Sequence, residues 1–331
     1  MSRELTITSS PHGHSSWSVR RCMWNVVLAL LPACGVGIWV FGLPALWVIL
    51  LSVGGCLLAE WAIERWLFHR PCTLADGSAL ITGMLLACNL PASLPWWMVL
   101  IGAVVAIGIG KMSFGGLGTN IWNPALVGRV FLLISFPAAM TTWPSGVNAG
   151  IEAITGASQQ ADAVTGATFL AQYNEAWANH SHISVDMTQL LTGQMNGSLG
   201  EVGAIAILIG LVWLLATRVI TWHIPVSVLA GAVALSAALG CNPLYDLLSG
   251  GLLLGAVFMA TDYVTSPVTH KGQIIYGLMI GFITIIIRRF GAYPEGMSFA
   301  ILLMNSCVPL INHYCKPSRY GAVRKGKEVK A

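Results

Sequence analysis

Apolar residues fall into ten blocks along this chain, at about 22–42, 44–63, 78–91, 96–110, 124–143, 202–220, 224–240, 246–264, 274–290 and 297–314. Little remains to coat a water-soluble surface: 9% of the 331 residues are charged, against about 25% in soluble domains. Such blocks belong in the hydrocarbon of a bilayer. There every backbone N–H and C=O must be satisfied internally, so only helices and closed barrels survive. The block lengths suit helices. We read an all-α polytopic membrane protein of about ten transmembrane helices. Several blocks hold only about 14 continuous apolar residues, too few at ~1.5 Å each to cross ~30 Å of hydrocarbon. These are expected to be short or broken helices packed inside the bundle. A secreted enzyme, a disordered chain and a nucleic-acid binder are all excluded. The net charge of +4 resides in loops and one tail, not on a basic face that would follow a phosphate backbone.

Lysine and arginine orient the bundle. With the N-terminus in the cytoplasm, 15 of the 17 basic residues face that side: Arg3, Arg20, Arg21, Arg65, Arg70, Lys111, Arg129, Arg218, Lys271 and the six after Cys315. Only Arg288 and Arg289 fall outside. No small-residue cleavage site follows the first block, which reads as an uncleaved helix. The division is then a cytoplasmic segment 1–21, a five-helix unit 22–143, an external stretch 144–200, a second five-helix unit 201–314 and a basic tail 315–331. The external stretch contains no Lys or Arg. A connection of that length in a compact protein usually has a function.

The two five-helix units read as copies of one another. Phe114-Gly115-Gly116 leads to Asn123-Pro124-Ala125-Leu126, and Phe290-Gly291-Ala292 leads to Ser298-Phe299-Ala300-Ile301. The short third block meets Pro91 and the eighth meets Pro267. An odd number of helices per copy inverts the second copy in the membrane. Inverted repeats with interrupted helices commonly place a ligand or ion site near the midplane.

Eight cysteines are scattered without C-x-x-C spacing, so no metal cluster held by this chain alone is expected. The pairs His12/His14 and His180/His182 lack a third ligand and read as solvated loop residues. Trp96, Trp97, Trp143 and Trp222 stand at block ends, as interfacial anchors do. The tail around Arg324-Lys325-Gly326-Lys327 suits contact with anionic lipid. Lys111 to Asn120 is a glycine-rich turn without the G-x-x-x-x-G-K-[ST] of a nucleotide loop. Asp262 closes a short block, where an ionisable group is a candidate for an ion path or caps a broken helix by accepting backbone hydrogen bonds.

The sharpest string lies in the external stretch: Asp162-Ala163-Val164-Thr165-Gly166-Ala167-Thr168. Ten residues earlier stands a near copy, Glu152-Ala153-Ile154-Thr155-Gly156-Ala157-Ser158. A hydroxyl among small residues is open to a modifying enzyme, and bare backbone N–H groups suit a phosphate. Chemistry alone goes no further, since Thr-Gly-Ala-Thr is also an ordinary turn.

The first string resembles the D-x-x-[ST]-G-A-T flavinylation signature. With Asp76-Gly77-Ser78-Ala79-Leu80-Ile81-Thr82-Gly83, Asn123-Pro124-Ala125, Phe258 to Pro267, and Tyr293-Pro294-Glu295-Gly296, the chain resembles the RnfD/NqrB family over nearly its whole length. Those proteins are membrane subunits of the Rnf complex and of the sodium-translocating NADH:quinone reductase, and the length here is closer to the Rnf D subunit. The resemblance implies FMN bound through a phosphoester to Thr168, with Asp162, Thr165, Gly166 and Ala167 as the surrounding signature and Ser158 as a decoy. It implies attachment by a flavin transferase, a bacterial inner-membrane location with residues 144–200 periplasmic, and partner subunits that deliver the electrons. The family also admits a second, non-covalent flavin such as riboflavin, for which the Lys111–Asn120 turn is a candidate approach. Electron passage would be coupled to movement of Na+ or H+. The competing reading is a small-solute channel of the urea-transporter kind, in which Thr168 is an unmodified turn residue.

Overall fold

The computed structural model describes residues 18–70, 72–143, 169–179, 197–201, 203–291 and 295–316. Among them there is no strand. The helices are α1 Val19–Phe41, α2 Leu43–Ala62, α3 Ser78–Cys88, α4 Trp96–Gly108, α5 Pro124–Ser135, α6 Phe169–Ala178, α7 Ala204–Ala216, α8 His223–Ala238, α9 Pro243–Leu248, α10 His270–Phe290 and α11 Met297–Tyr314. Four stretches are long and apolar enough to cross a membrane: Val19–Phe41, Leu43–Leu67, Trp96–Phe114 and His270–Phe290. Shorter apolar helices are α3, α5, α7 and α8. The multi-pass, all-helical reading holds, including its short helices.

Local chemistry sets the helix ends. Ser18 accepts a hydrogen bond from the Arg21 amide and opens α1. Two helices begin on Asn-Pro: Asn123 caps α5 by accepting from the Ala125 amide, and Asn242 caps α9 through Leu244. Proline at the first helical position removes an N–H that has no partner there. The fifth block breaks at Phe136 before Pro137 and resumes for one turn, Pro137–Met140.

The eighth block is broken further. It divides into α9, the single turn Leu252–Leu254 and a π-turn Gly255–Met259. Gly250 adopts a left-handed φ of +62° and starts the break. Gly77, at φ +83°, stands in the same way directly before α3.

Helix pairing repeats between the two halves. In the first, α2 packs on α4 and α4 on α5; in the second, α8 packs on α10 and α10 on α11. Across the halves α1 meets α7 and α5 meets α11. Such pairing is what two copies related by a two-fold axis produce. The closest approach is α8 against α10. A Cβ on Gly231 would sit 2.5 Å from the Leu278 carbonyl oxygen, and one on Gly281 would strike the Val228 carbonyl. Small residues here let two backbones meet, the device by which helices associate where burying apolar surface gains nothing over lipid.

Candidate functional site

A cavity of about 90 Å³ opens between the two halves. Its apolar walls include Leu85, Leu214 and Phe258, and its polar lining is Ser78, Thr82, Lys111, Asn120, Asn123, Thr261 and Asp262. Apart from Thr82, inside α3, these polar groups stand at helix ends or in the turns between helices. Ser78 opens α3, and Asp76 accepts from both its amide and its hydroxyl. Lys111 follows α4 and reaches Glu60 on α2 with both carboxylate oxygens at 2.7 Å, and Ser78 Oγ at 2.6 Å. Thr73 then links Glu60 to Glu64. Asn123 donates to the Met259 carbonyl of the π-turn at 3.3 Å. Asp262 follows that turn and accepts from the Val264 amide and the Thr265 hydroxyl. Asp262 therefore both closes the turn that follows Met259 and lines the cavity.

One turn of α3 beyond Leu85 stands Asn89, whose side chain meets Met259 Sδ and accepts from Arg129 Nη1 at 3.0 Å. Arg129, on α5, also donates to Ser298 Oγ at 2.5 Å and forms an ion pair with Glu295. It is 4% exposed. The charge count from sequence placed Arg129 in a cytoplasmic loop. The structure corrects this: Arg129 is interior and bridges the first repeat to the start of α11.

Helix α6 docks at the far end of α10. Phe169 stacks with Tyr173 at 5.9 Å between ring centres, and Tyr245 meets both edge-on. Tyr173 Oη accepts from the Asn242 amide at 2.7 Å, and burial raises its phenol above the usual range. Asn174 donates to the Arg288 carbonyl. The Arg289 guanidinium lies over the Tyr173 ring at 4.6 Å and binds Asn174 Oδ1 and both Asp246 oxygens. Arg288 donates to the Asp246 and Ser249 carbonyls, and Ser236 donates to Asp246. Arg288 also faces the buried carboxylate of Glu201, so two guanidiniums face two carboxylates.

The expected flavin string, Asp162, Thr165, Gly166, Ala167 and Thr168, lies outside the described residues, as do Ser158, the four histidines and the basic tail. Of the other expectations, Lys111 and Asp262 come together in the cavity. Trp96 and Trp222 are exposed at helix starts, whereas Trp143 is buried and is no interfacial anchor. Sequence reading missed four buried ion pairs: Glu60–Lys111, Arg129–Glu295, and Asp246 with both Arg288 and Arg289. The available signal was an acid inside an apolar block, which Glu60 and Asp246 both are. It also missed the thiols of Cys34 and Cys88, 3.6 Å apart between α1 and α3.

Residues 6–321 match the model of the NQR2, RnfD, RnfE family. The chain belongs to this family. Among its relatives, the D subunit of the Na+-translocating ferredoxin:NAD+ oxidoreductase complex of Acetobacterium woodii is 43% identical over 327 residues, covering 99% of this chain and 98% of the relative. The D subunit of the proton-translocating ferredoxin:NAD+ oxidoreductase complex of Clostridium ljungdahlii is 40% identical, covering 97% of each. The D subunit of the ion-translocating oxidoreductase complex of Stutzerimonas stutzeri is 42% identical, covering 95% of each. The family resemblance carried by Thr168, the Asp76–Gly83 string and the Phe258–Pro267 string is thereby established for the chain as a whole.

Proposed function

We propose that this chain is the D subunit of an inner-membrane, ion-translocating oxidoreductase complex, that Thr168 carries FMN, and that electron passage is coupled to movement of Na+ or H+. Full-length similarity to D subunits together with the D-A-V-T-G-A-T string ending at Thr168 carries the reading. The bound flavin would supply one- or two-electron relay chemistry, its potential set by its surroundings. The chain has no G-x-G-x-x-G fingerprint for NAD, so electrons enter through other subunits.

The residues that follow Thr168 suit such a group. Phe169, its covalent neighbour, belongs to an aromatic cluster with Tyr173 and Tyr245. Beside that cluster the Arg289 guanidinium lies over the Tyr173 ring. A planar ring is favoured by such an aromatic environment. The interior cavity suits a second, non-covalent flavin: Phe258 and Leu85 offer apolar walls, and Asn120, Asn123 and Thr261 offer hydrogen bonds. Asp262, on the same wall, is the candidate for the ion path. A flavin transferase acting on residues 144–200 and a cytoplasmic N-terminus complete the proposal.

The test is flavin fluorescence of the denatured protein on a gel, from a host that contains the transferase. The wild-type band is expected to fluoresce, Thr168→Ala to be dark and Ser158→Ala to remain bright. Mass spectrometry of the peptide spanning 144–200 locates the added mass. A dark wild-type band overturns the flavin and favours a channel without redox role.

A further inference from the structure

We propose that Cys34 and Cys88 are a redox modification site: a peroxide closes the pair into a disulfide that ties α1 to α3 and restrains two walls of the interior cavity. The two sulfurs lie 3.6 Å apart, and both side chains are buried. A disulfide bond measures about 2.05 Å, so ~1.5 Å of approach remains, a distance that rotation about the Cα–Cβ bonds supplies. Cys34 lies within α1 and Cys88 ends α3, and the two helices pack against each other.

The segment 197–201 roofs the pair. The Gly200 amide donates to the Cys88 carbonyl at 2.7 Å, and the Leu199 amide to the Leu90 carbonyl. A Cβ on Gly200 would lie 2.5 Å from Cys88 Cβ, and one on Gly37, a turn past Cys34, would lie 2.6 Å from the Leu199 carbonyl oxygen. The segment therefore touches both helices beside the thiols and fixes their spacing. It is also where the external stretch 144–200 returns to the bundle. In the orientation read from the basic residues, the pair sits toward the periplasmic side, where disulfides persist.

The chemistry balances with two thiols and one peroxide. Cys34, at 6% exposure, is the sulfur a small oxidant reaches, whereas Cys88 is fully buried. The Cys34 sulfur takes one peroxide oxygen, giving a sulfenic acid and a first water. The Cys88 sulfur then displaces the sulfenic hydroxyl, which leaves as a second water and completes the S–S bond. Two electrons pass from the sulfurs to the peroxide, and both thiol protons end in water.

The bond acts on the cavity through its walls. Met23 and Val26 of α1 line the cavity, as do Ile81, Thr82 and Leu85 of α3. Leu85 lies one turn before Cys88. Helix α1 also bears α7 of the second half, close enough that a Cβ on Gly210 would lie 2.5 Å from the Ala29 carbonyl oxygen. A disulfide thus joins α3 to the helix on which the second half rests, and α1 can no longer slide against α3.

The experiment treats the whole complex with hydrogen peroxide, quenches it in acid, alkylates it in denaturant and maps the cysteine peptides by mass spectrometry. A linked Cys34–Cys88 peptide, reversed by a phosphine reductant, is expected. Both thiols found alkylated after peroxide overturn the proposal. Donor-driven turnover of the same complex is expected to fall several-fold further in wild type than in Cys34→Ala treated alongside, and to recover with the phosphine. Turnover that is unchanged although the bond has formed, or a loss that the phosphine does not restore, overturns the restraint. If Cys34→Ala does not assemble, Cys88→Ala replaces it, and the wild-type map and phosphine recovery still decide. The turnover readout rests on the reading of this chain as part of an electron-transfer complex; the bond does not. Untreated complex without donor-driven turnover removes that reading, whereas a missing bond removes only the thiol pair.

Discussion

Lys111 binds two polar partners, Glu60 and Ser78, with Glu60 fully buried beside it. Breaking a buried pair leaves a charge without its counter-ion, and costs about 3–5 kcal/mol. Lys111→Met should therefore lower the thermal stability of the purified protein by that order. The double variant Glu60→Gln, Lys111→Met should recover most of the loss, because two neutral side chains of similar volume need no counter-charge. A double variant as unstable as the single one contradicts the account. The pair also shows what could be read in advance. Glu60 is conspicuous in a run of Leu, Cys, Ala and Trp. Its partner lies 51 residues away, and no spacing rule connects them. Arg129 and Glu295 are still further apart, so their meeting depends on helix packing that a linear pattern does not encode. Thr168, by contrast, belongs to a contiguous string, which a linear reading can pick out.

Periodic features of elements were legible and their interruptions were partly so. Long apolar blocks became α1, α2 and α10 because one backbone conformation satisfies every N–H and C=O in hydrocarbon. The break in the eighth block was legible only as a Gly-Gly pair at Gly250-Gly251. Its π-turn depends on contacts such as that of Asn123 with the Met259 carbonyl. The α8–α10 contact depends on glycine in another way, through closeness. Gly231→Leu or Gly281→Val would force the backbones apart, and overpacking of this kind costs about 1–3 kcal/mol. Reduced yield of folded protein and a lowered unfolding temperature in detergent are the expected outcomes. Substitution at Gly54, where an added Cβ meets nothing within 4 Å, should be close to neutral in the same assay.

For the molecule as a whole, the two basic residues that violated the orientation rule turn out not to be loop charges. Arg288 and Arg289 are tied to Asp246 inside the packing against α6. Arg129 and Lys111, both buried in ion pairs, leave the loop count as well, and what remains favours a cytoplasmic N-terminus. This is measurable through Cys72, which is exposed between α2 and α3. In a background lacking the other cysteines, an impermeant maleimide added to intact spheroplasts should not label Cys72, and should do so after lysis. A cysteine introduced by Ser158→Cys should be labelled without lysis. The reverse pattern inverts the bundle and puts the proposed flavin inside the cell.

Helix α6 is moored to the bundle by Tyr173, Asn174 and the edge-on contact of Phe169 with Tyr245. A carrier esterified to the residue just ahead of it would be berthed on a short leash, unlike a prosthetic group that swings on a long arm. Donor and acceptor centres of neighbouring subunits would have to come within tunnelling range of one fixed station, so the docking of those subunits, more than any sweep of the cofactor, would pace the electrons.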